Sequence, residues 1–362
     1  MGTHVTFGAG SLERVGDIAS DLGFRNSLLV VDPGLHPTGI PDRVVALLRS
    51  GGLTMHLYDS IGVNPDSDMV AAGSAYATPL GVDSIVALGG GSALDVAKGI
   101  NFLLRNGGRM QDYRGYGKAP RSLLPSIGIP TTAGTGSEAQ SYCVIADAAT
   151  RMKMACGAPS AAFRAVVLDP DLTATTPAAV RAAAGIDAAA HAIETWVTKR
   201  RSPVSRMLSL EAWTLIKRAL PRVIRGAGNA RDRADMMLGA HLAGAAIEAS
   251  MLGAAHACAN PLTARYGTVH GVALGVLLPH VIRWNADVAA KDYEGLGGAK
   301  RLAGFIEKIV ENAAFPSTLR ALAAKRDDIP ELAALAATQW TGTFNPREMG
   351  EAGAAEIYER AF

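Results

Sequence analysis

Asp187 and His191 stand four residues apart in the alanine-rich run GIDAAAHAIE. A helix at 3.6 residues per turn sets two such side chains on one face. His256 and His270 are separated by Pro261 and Gly267, a spacing that predicts two short elements folded back on each other. One carboxylate and three imidazoles form a suitable ligand set for Fe²⁺ or Zn²⁺, with a position left for a substrate oxygen. A histidine in an alanine-rich helix is more often packed than ligating. Here the carboxylate at helical spacing tips the balance, because the surrounding alanines offer Asp187 few other partners.

A second kind of chemistry is written in the glycines. Gly89-Gly90-Gly91-Ser92 follows an apolar run and precedes a helical stretch. Glycines there let the backbone approach a phosphate and turn successive N–H groups toward it, and a helix N-terminus adds a favourable field. A plain tight turn is the alternative. Ser92 and Asp95, three apart, also fit a capping box. The turn from Pro130 to Glu138 (PTTAGTGSE) is crowded with hydroxyls suited to phosphate, ribose or carboxamide, or to an ordinary helix entry. Asp32 ends an early apolar run, where a carboxylate accepts bonds from ribose hydroxyls and repels a 2′-phosphate.

The elements that must hold these residues divide into two grammars. Up to about residue 176, short apolar runs at Ser27–Val31, Ser84–Leu88, Ser126–Ile129 and Ala165–Leu168 end at Asp, Gly or Pro. Helical stretches at Pro41–Ser50 and Ser92–Arg105 lie between them, the pattern of a parallel α/β sheet. From Pro177 onward, helical periodicity takes over at Ser205–Arg225, Ala230–Ala249, Gly271–Asn285, Ala299–Asn312 and Ile329–Thr338. Residues 1–176 are therefore read as an α/β dinucleotide-binding domain and 177–362 as an all-helical metal and substrate domain. The boundary falls in the turn-rich segment LDPDLTATTP, and a cleft between two such domains is a usual place for cofactor and substrate. The segment THVTFG reads as a strand with little of its own to pair with.

Thirty-five basic and 33 acidic residues nearly cancel, and no basic face points to nucleic acid. The run Lys199–Arg201 reads as a solvated helix end. Cys143, Cys156 and Cys258 are odd in number and widely spaced, unlike a disulfide framework or a cysteine zinc site. They fit a reducing cytoplasm. No apolar stretch has signal-peptide character at the N-terminus or reaches membrane-spanning length. His4, His36 and His56 are expected in turns or at the surface, and His241 and His280 in structural roles.

Together these segments resemble the iron-containing alcohol dehydrogenase family. The resemblance rests on GGGSALDVAK (89–98), IPTTAGTGSE (129–138), LDPDLT (168–173), GIDAAAHAIE (185–194), HGVALGVLLPHVIRWN (270–285) and NPR (345–347), in this order over nearly the whole chain. It implies an α/β nucleotide-binding domain followed by an all-α metal domain, the fold shared with dehydroquinate synthase. It implies metal ligation by Asp187, His191, His256 and His270, which are also the catalytic residues. It implies dinucleotide binding by Asp32, Asn64, Gly90, Gly91, Ser92, Asp95, Thr131, Thr132, Thr135, Val144 and Lys153. Relatives are commonly dimers or larger homo-oligomers. Many carry a second histidine four residues after the third metal ligand. Asn260 stands there instead, so the family's proton relay does not carry over.

The chemistry expected is hydride transfer between NAD(H) and a small alcohol or aldehyde, with iron, or zinc, as Lewis acid. A glycerol-dehydrogenase-like or maleylacetate-reductase-like oxidoreductase is the nearest alternative. A cyclase resembling dehydroquinate synthase would need a basic cluster for a phosphorylated substrate, and none stands out. A binding protein without turnover is the alternative from outside enzymes.

Overall fold

The computed structural model describes residues 2–62, 64–226 and 228–362. It separates into two compact units. One holds the chain up to Thr132 and again from Gly136 to Thr176; the other holds Ala133–Thr135 and Pro177–Phe362.

The first unit runs β1 (His4–Phe7), α1 (Val15–Asp21), β2 (Asn26–Val31), α2 (Ile40–Ser50), β3 (Thr54–Tyr58), α3 (Ser67–Ala77) and β4 (Ser84–Gly89). It continues through α4 (Gly91–Asn106), β5 (Gly115–Tyr116), β6 (Ser126–Pro130), β7 (Tyr142–Ala146), β8 (Lys153–Gly157) and β9 (Ala165–Leu168). Six strands form one sheet in the order β1-β9-β6-β4-β2-β3, every pair parallel. Strand β4 is buried along its whole length, as expected where helices cover both faces. The strand period of two is visible in the core. Leu29, Val31, Val86, Leu88, Ile127, Ile129, Ala165 and Val167 share one face with Val15 and Ile18 of α1 and Val44 and Leu48 of α2. The apolar runs read as strands all lie in this sheet.

Two features depart from the sequence-based expectation. Segment THVTFG is not short of a partner, because β1 pairs in parallel with β9 of the same chain, His4 opposite Ala165 through Phe7 opposite Leu168. A second sheet, β5-β8-β7, was not anticipated; in it β7 and β8 are antiparallel.

The second unit is helical: α5 (Ala178–Val197), α6 (Pro203–Ile224), α7 (Ala230–Glu248), α8 (Ala254–Tyr266), α9 (His270–Glu294), α10 (Ala299–Asn312), α11 (Ile329–Ala337) and α12 (Glu351–Ala361). Helix α5 is buried without interruption from Ile186 to Val197, and α6, α7 and α9 pack around it. A helix buried all round needs small side chains so that neighbours can close on it, which accounts for its alanines. At Gly271 the approach is backbone to backbone: a Cβ there would stand 2.1 Å from the Ala183 carbonyl oxygen. The first turn of α9 is thereby seated on α5.

The two short elements expected around His256 and His270 are helices of 13 and 25 residues. Pro261 lies inside α8 rather than after it. The helix forfeits the N–H that would reach the Ala257 carbonyl and continues to Gly267, whose positive φ of 65° closes it.

Candidate metal centre and cofactor loops

Asp187 and His191 lie one turn apart on the buried face of α5, His256 is the third residue of α8, and His270 begins α9. Three imidazole Nε2 atoms converge on one oxygen. Asp187 Oδ1 is 3.1 Å from His191, 3.4 Å from His256 and 4.0 Å from His270. The rings of His191 and His256 are stacked with centroids 4.8 Å apart. Donor atoms of Asp187, His256 and His270 all lie within 4.8 Å of one another. His191 stands outside that mutual set while keeping the shortest distance to the carboxylate. Asp187, His191 and His256 are buried, and His270 is partly exposed.

Asp187 Oδ1 and His256 Nε2 have no hydrogen-bond partner of acceptable geometry although both are fully enclosed. Leaving such groups unmatched is costly. One carboxylate oxygen and imidazole nitrogens at these separations fit a divalent transition-metal ion. Burial alone would raise the Asp187 carboxyl, but His191, with His256 and His270, holds it well below the usual carboxylate range. Burial likewise depresses His256, and Glu194 together with Asp187 overcomes that and brings it up to about 9.

Glu194 orients the ring of His256. Its Oε2 is 2.5 Å from His256 Nδ1, and its Oε1 accepts the Ala255 N–H at 2.7 Å. With Nδ1 held by Glu194, Nε2 is the nitrogen that faces Asp187, and its proton is the one a metal would displace. Asn345 braces the same turn: its Oδ1 accepts the Ala254 N–H at 3.1 Å, and its Nδ2 donates to Asn285 Oδ1 at 2.7 Å.

In the first unit, Asp32, Gly90–Ser92 and Thr131–Thr132 follow β2, β4 and β6, three adjacent parallel strands, so they share the carboxyl edge of the sheet. The chain leaves β2 for β3 on one side and joins β4 on the other. Such a reversal opens a crevice between the loops after the two strands. Gly89 has φ +147°, and a Cβ there would meet those of Asp32 and Ala93 at 2.8 Å, so the close approach requires glycine. Helix α4 starts after Gly90 with no side-chain cap and no acidic residue in its first turn. The helix thus opens toward this loop without a side-chain N-cap.

The capping box expected of Ser92 and Asp95 is absent. Gly90 is the cap residue, and Asp95 Oδ1 accepts from Ser137 Oγ at 2.5 Å and Oδ2 from the Val144 N–H at 3.2 Å. Burial pushes the Asp95 carboxyl up, against the pull of Lys98, Ser137, Val144 and Lys153. Asp95 thus stands with Val144 and Lys153 of β7 and β8. Asp32 accepts the Gly34 N–H at 2.9 Å, and Asn64 adopts a positive φ of 56°. Thr131 is buried and its N–H meets the Gly89 carbonyl; Thr132 lies against Gly90. Thr135 belongs to the second unit.

Residues 2–170 match the model of "Iron-containing alcohol dehydrogenase", and residues 181–362 match "Fe-containing alcohol dehydrogenase family, C-terminal". The chain belongs to the iron-containing alcohol dehydrogenase family. Among its relatives, the NAD-dependent methanol dehydrogenase of Bacillus methanolicus is 30% identical, over 98% of this chain and 97% of that protein. The lactaldehyde reductase of Escherichia coli K12 is 32% identical, over 98% and 97%. A crystal structure of 1,3-propanediol oxidoreductase matches with a TM-score of 0.95 at 32% identity, covering 100% of this chain and 98% of that one.

Against this alcohol dehydrogenase background, three supporting residues escaped the sequence. Glu194 carried a readable signal, lying three residues after His191 and seven after Asp187, on the same helical face. Asn345 stands in the sequence only as the first residue of the NPR motif. Lys98 is buried, and its Nζ donates to the carbonyls of Ser137, Gln140 and Tyr142 at 2.6 to 2.8 Å, tying α4 to the segment leading into β7. Asn260 follows His256 by one turn of α8, and its Nδ2 donates to Gln339 Oε1 at 3.0 Å. Of the other histidines, His36 pairs with Asp59, His56 meets Asn26, and His241 is buried in α7.

Proposed function

We propose that the chain is a metal-dependent, NAD(H)-linked alcohol dehydrogenase, equally an aldehyde reductase, acting on a small alcohol or aldehyde. The observation that carries this proposal is the convergence of three imidazole nitrogens on the buried, unmatched oxygen of Asp187. Asp187, His191, His256 and His270 hold the metal, iron by family and zinc by chemistry. Asp32, Asn64, Gly90, Gly91, Ser92, Asp95, Thr131, Thr132, Thr135, Val144 and Lys153 hold the dinucleotide, which makes the first unit the cofactor domain and the second the metal and substrate domain.

When bound, the metal supplies Lewis acidity toward a substrate oxygen, and the nicotinamide supplies the two-electron redox chemistry. The protein supplies position. Glu194 holds Nδ1 of His256 and leaves Nε2 to ligate. The glycine loop and the leading amides of α4 cradle the pyrophosphate, and Asp32 takes the adenosine ribose and disfavours a 2′-phosphate. Asn260 neither gains nor loses a proton at neutral pH, so it orients rather than relays.

The working assembly is a homo-oligomer, most simply a dimer, in the cytoplasm. Exposed Val204, Met207 and Leu210, spaced three apart on α6, are consistent with an interface. Among the described residues no helix is long and apolar enough to cross a membrane. Anaerobic purification, elemental analysis and NADH oxidation against a panel of short aldehydes and hydroxyaldehydes test the proposal. About one divalent ion per chain and turnover with at least one member are expected; a metal-loaded protein inert to the whole panel would overturn it.

A further inference from the structure

Cys143 on β7 and Cys156 on β8 are direct cross-strand partners. Opposed residues of an antiparallel ladder have Cα atoms roughly 4.5–5.5 Å apart. A disulfide spans roughly 4.4–6.8 Å between Cα atoms, so the register alone brings the pair into range. Strand alternation then places both on one face, with Cys143 and Ile145 buried on β7 and Met154 and Cys156 buried on β8. Both are free thiols. The Cys143 sulfur lies 3.6 Å from the carbonyl oxygen of Cys156, and the Cys156 sulfur 3.5 Å from that of Met110. The third cysteine, Cys258, is on α8 in the other unit and is an internal control.

We propose that Cys143 and Cys156 form a dithiol that a small hydroperoxide converts reversibly to a disulfide, a modification site built into the β7–β8 pair. Either cysteine can attack first and be resolved by the other, and with Cys156 first the atoms balance as follows. The Cys156 thiolate attacks one peroxide oxygen and the O–O bond breaks. The departing oxygen leaves as water for a hydrogen peroxide oxidant, taking up the proton that Cys156 released, and Cys156 becomes a sulfenic acid. The Cys143 sulfur then attacks the Cys156 sulfur, the S–O bond breaks, and the hydroxyl leaves as water with the proton of Cys143. Two thiols lose two electrons and two protons, and the peroxide is reduced to two waters. Access comes through local opening of a three-stranded sheet whose edge strand β5 has only two residues.

A consequence for activity rests on the proposed cofactor role of Asp95, Val144 and Lys153. Val144 follows Cys143 and gives its N–H to Asp95, and Lys153 is paired with Ala146 in the same ladder. Drawing the two sulfurs to bonding distance alters that ladder, so the oxidised enzyme is expected to bind NADH more weakly, by about threefold or more in Kd.

The test uses the metal-loaded enzyme, fully reduced and then treated with hydrogen peroxide. Intact mass, a tryptic map and NADH titration are taken before treatment, after it, and after a thiol reductant. The expected result is a mass lower by two hydrogens and a linked pair of peptides, residues 122–151 joined to 154–164, with Cys258 still alkylatable. Both changes, and the loss of NADH affinity, reverse on reduction and are absent in Cys143→Ser and Cys156→Ser. Separate sulfinic or sulfonic acids on the two cysteines, or two thiols that stay alkylatable with no linked peptide, would overturn the proposal; this readout in the wild type does not depend on either variant folding. A linked peptide with unchanged NADH affinity would overturn the connection to cofactor. Failure of the reduced enzyme to bind NADH would instead sink the cofactor assignment, which the peptide map does not touch.

Discussion

Glu194→Gln isolates the positioning of one imidazole without emptying space. In the wild type two carboxylate oxygens accept two donors, His256 Nδ1–H at 2.5 Å and the Ala255 N–H at 2.7 Å. A glutamine of the same shape offers one acceptor and one NH₂, so whichever way the amide turns, one buried donor faces another. Either His256 loses its partner or the first turn of α8 does. A hydrogen bond to a charged group contributes about 1.5–3 kcal/mol, which corresponds to roughly 10- to 150-fold in an equilibrium constant. The loss should fall on metal affinity, since supporting partners of a metal-ligating histidine typically account for about 10- to 100-fold. Chelator competition with elemental analysis measures that affinity, and kcat/KM is taken at saturating metal. Glu194→Gln should bind metal about 10- to 100-fold more weakly and recover part of its activity when metal is in excess. Metal affinity and kcat/KM both within about twofold of wild type would refute a positioning role for Glu194.

His256→Ala and His270→Ala should fold and lose the divalent ion, with activity falling alongside; full metal content in both would remove them as ligands. The wild type should prefer NADH over NADPH, and Asp32→Gly should narrow that preference, so equal use of both cofactors by the wild type would misplace Asp32. Asn260→Ala should lower kcat/KM by roughly tenfold or less, as for one neutral hydrogen bond. Asn260→His should add an ionisation near about pH 6–7 to the rate profile, and a thousand-fold loss in the alanine variant with metal and NADH bound would show that Asn260 is central. Asp232 is held below the usual carboxylate range by its hydrogen bond from Arg222, against its burial, and also accepts the Asn229 N–H at the start of α7. A depressed carboxylate adds stability above its unfolded pKa of about 3.9 and loses it as pH falls through the lower folded value. Asp232→Asn should therefore melt below wild type near neutral pH, with the gap closing on acidification in thermal melts; a gap that persists in acid would exclude the linkage.

Much of this was legible because the relevant signals are local. The pair Asp187 and His191 needed only helical geometry, and the runs ending at Asp32, Gly89 and Pro130 needed only strand length and a breaker. Failures came where a distant partner decided. Ser92 and Asp95 have capping-box spacing, yet Asp95 is claimed by Ser137 and Val144, more than forty residues away in sequence. Segment THVTFG finds its partner in β9 at the other end of the unit. Pro261 read as a break, but a helix packed among neighbours absorbs one missing N–H. The odd cysteine count concealed a pair that only the β7–β8 register brings together.

The seating of Gly271 on Ala183 has a mechanical consequence. Between those two backbones there is no side chain to act as a cushion, so any slip of α9 along α5 reaches His270 undamped. His256, in contrast, is steadied through side chains, Glu194 and Asn345, which hold the first turn of α8 by hydrogen bonds. The centre therefore has one wall set by backbone contact and one set by side-chain hydrogen bonds. A larger side chain at position 271 would push the two helix backbones apart, whereas a change at Glu194 would leave them in place and act on the imidazole and the first turn of α8.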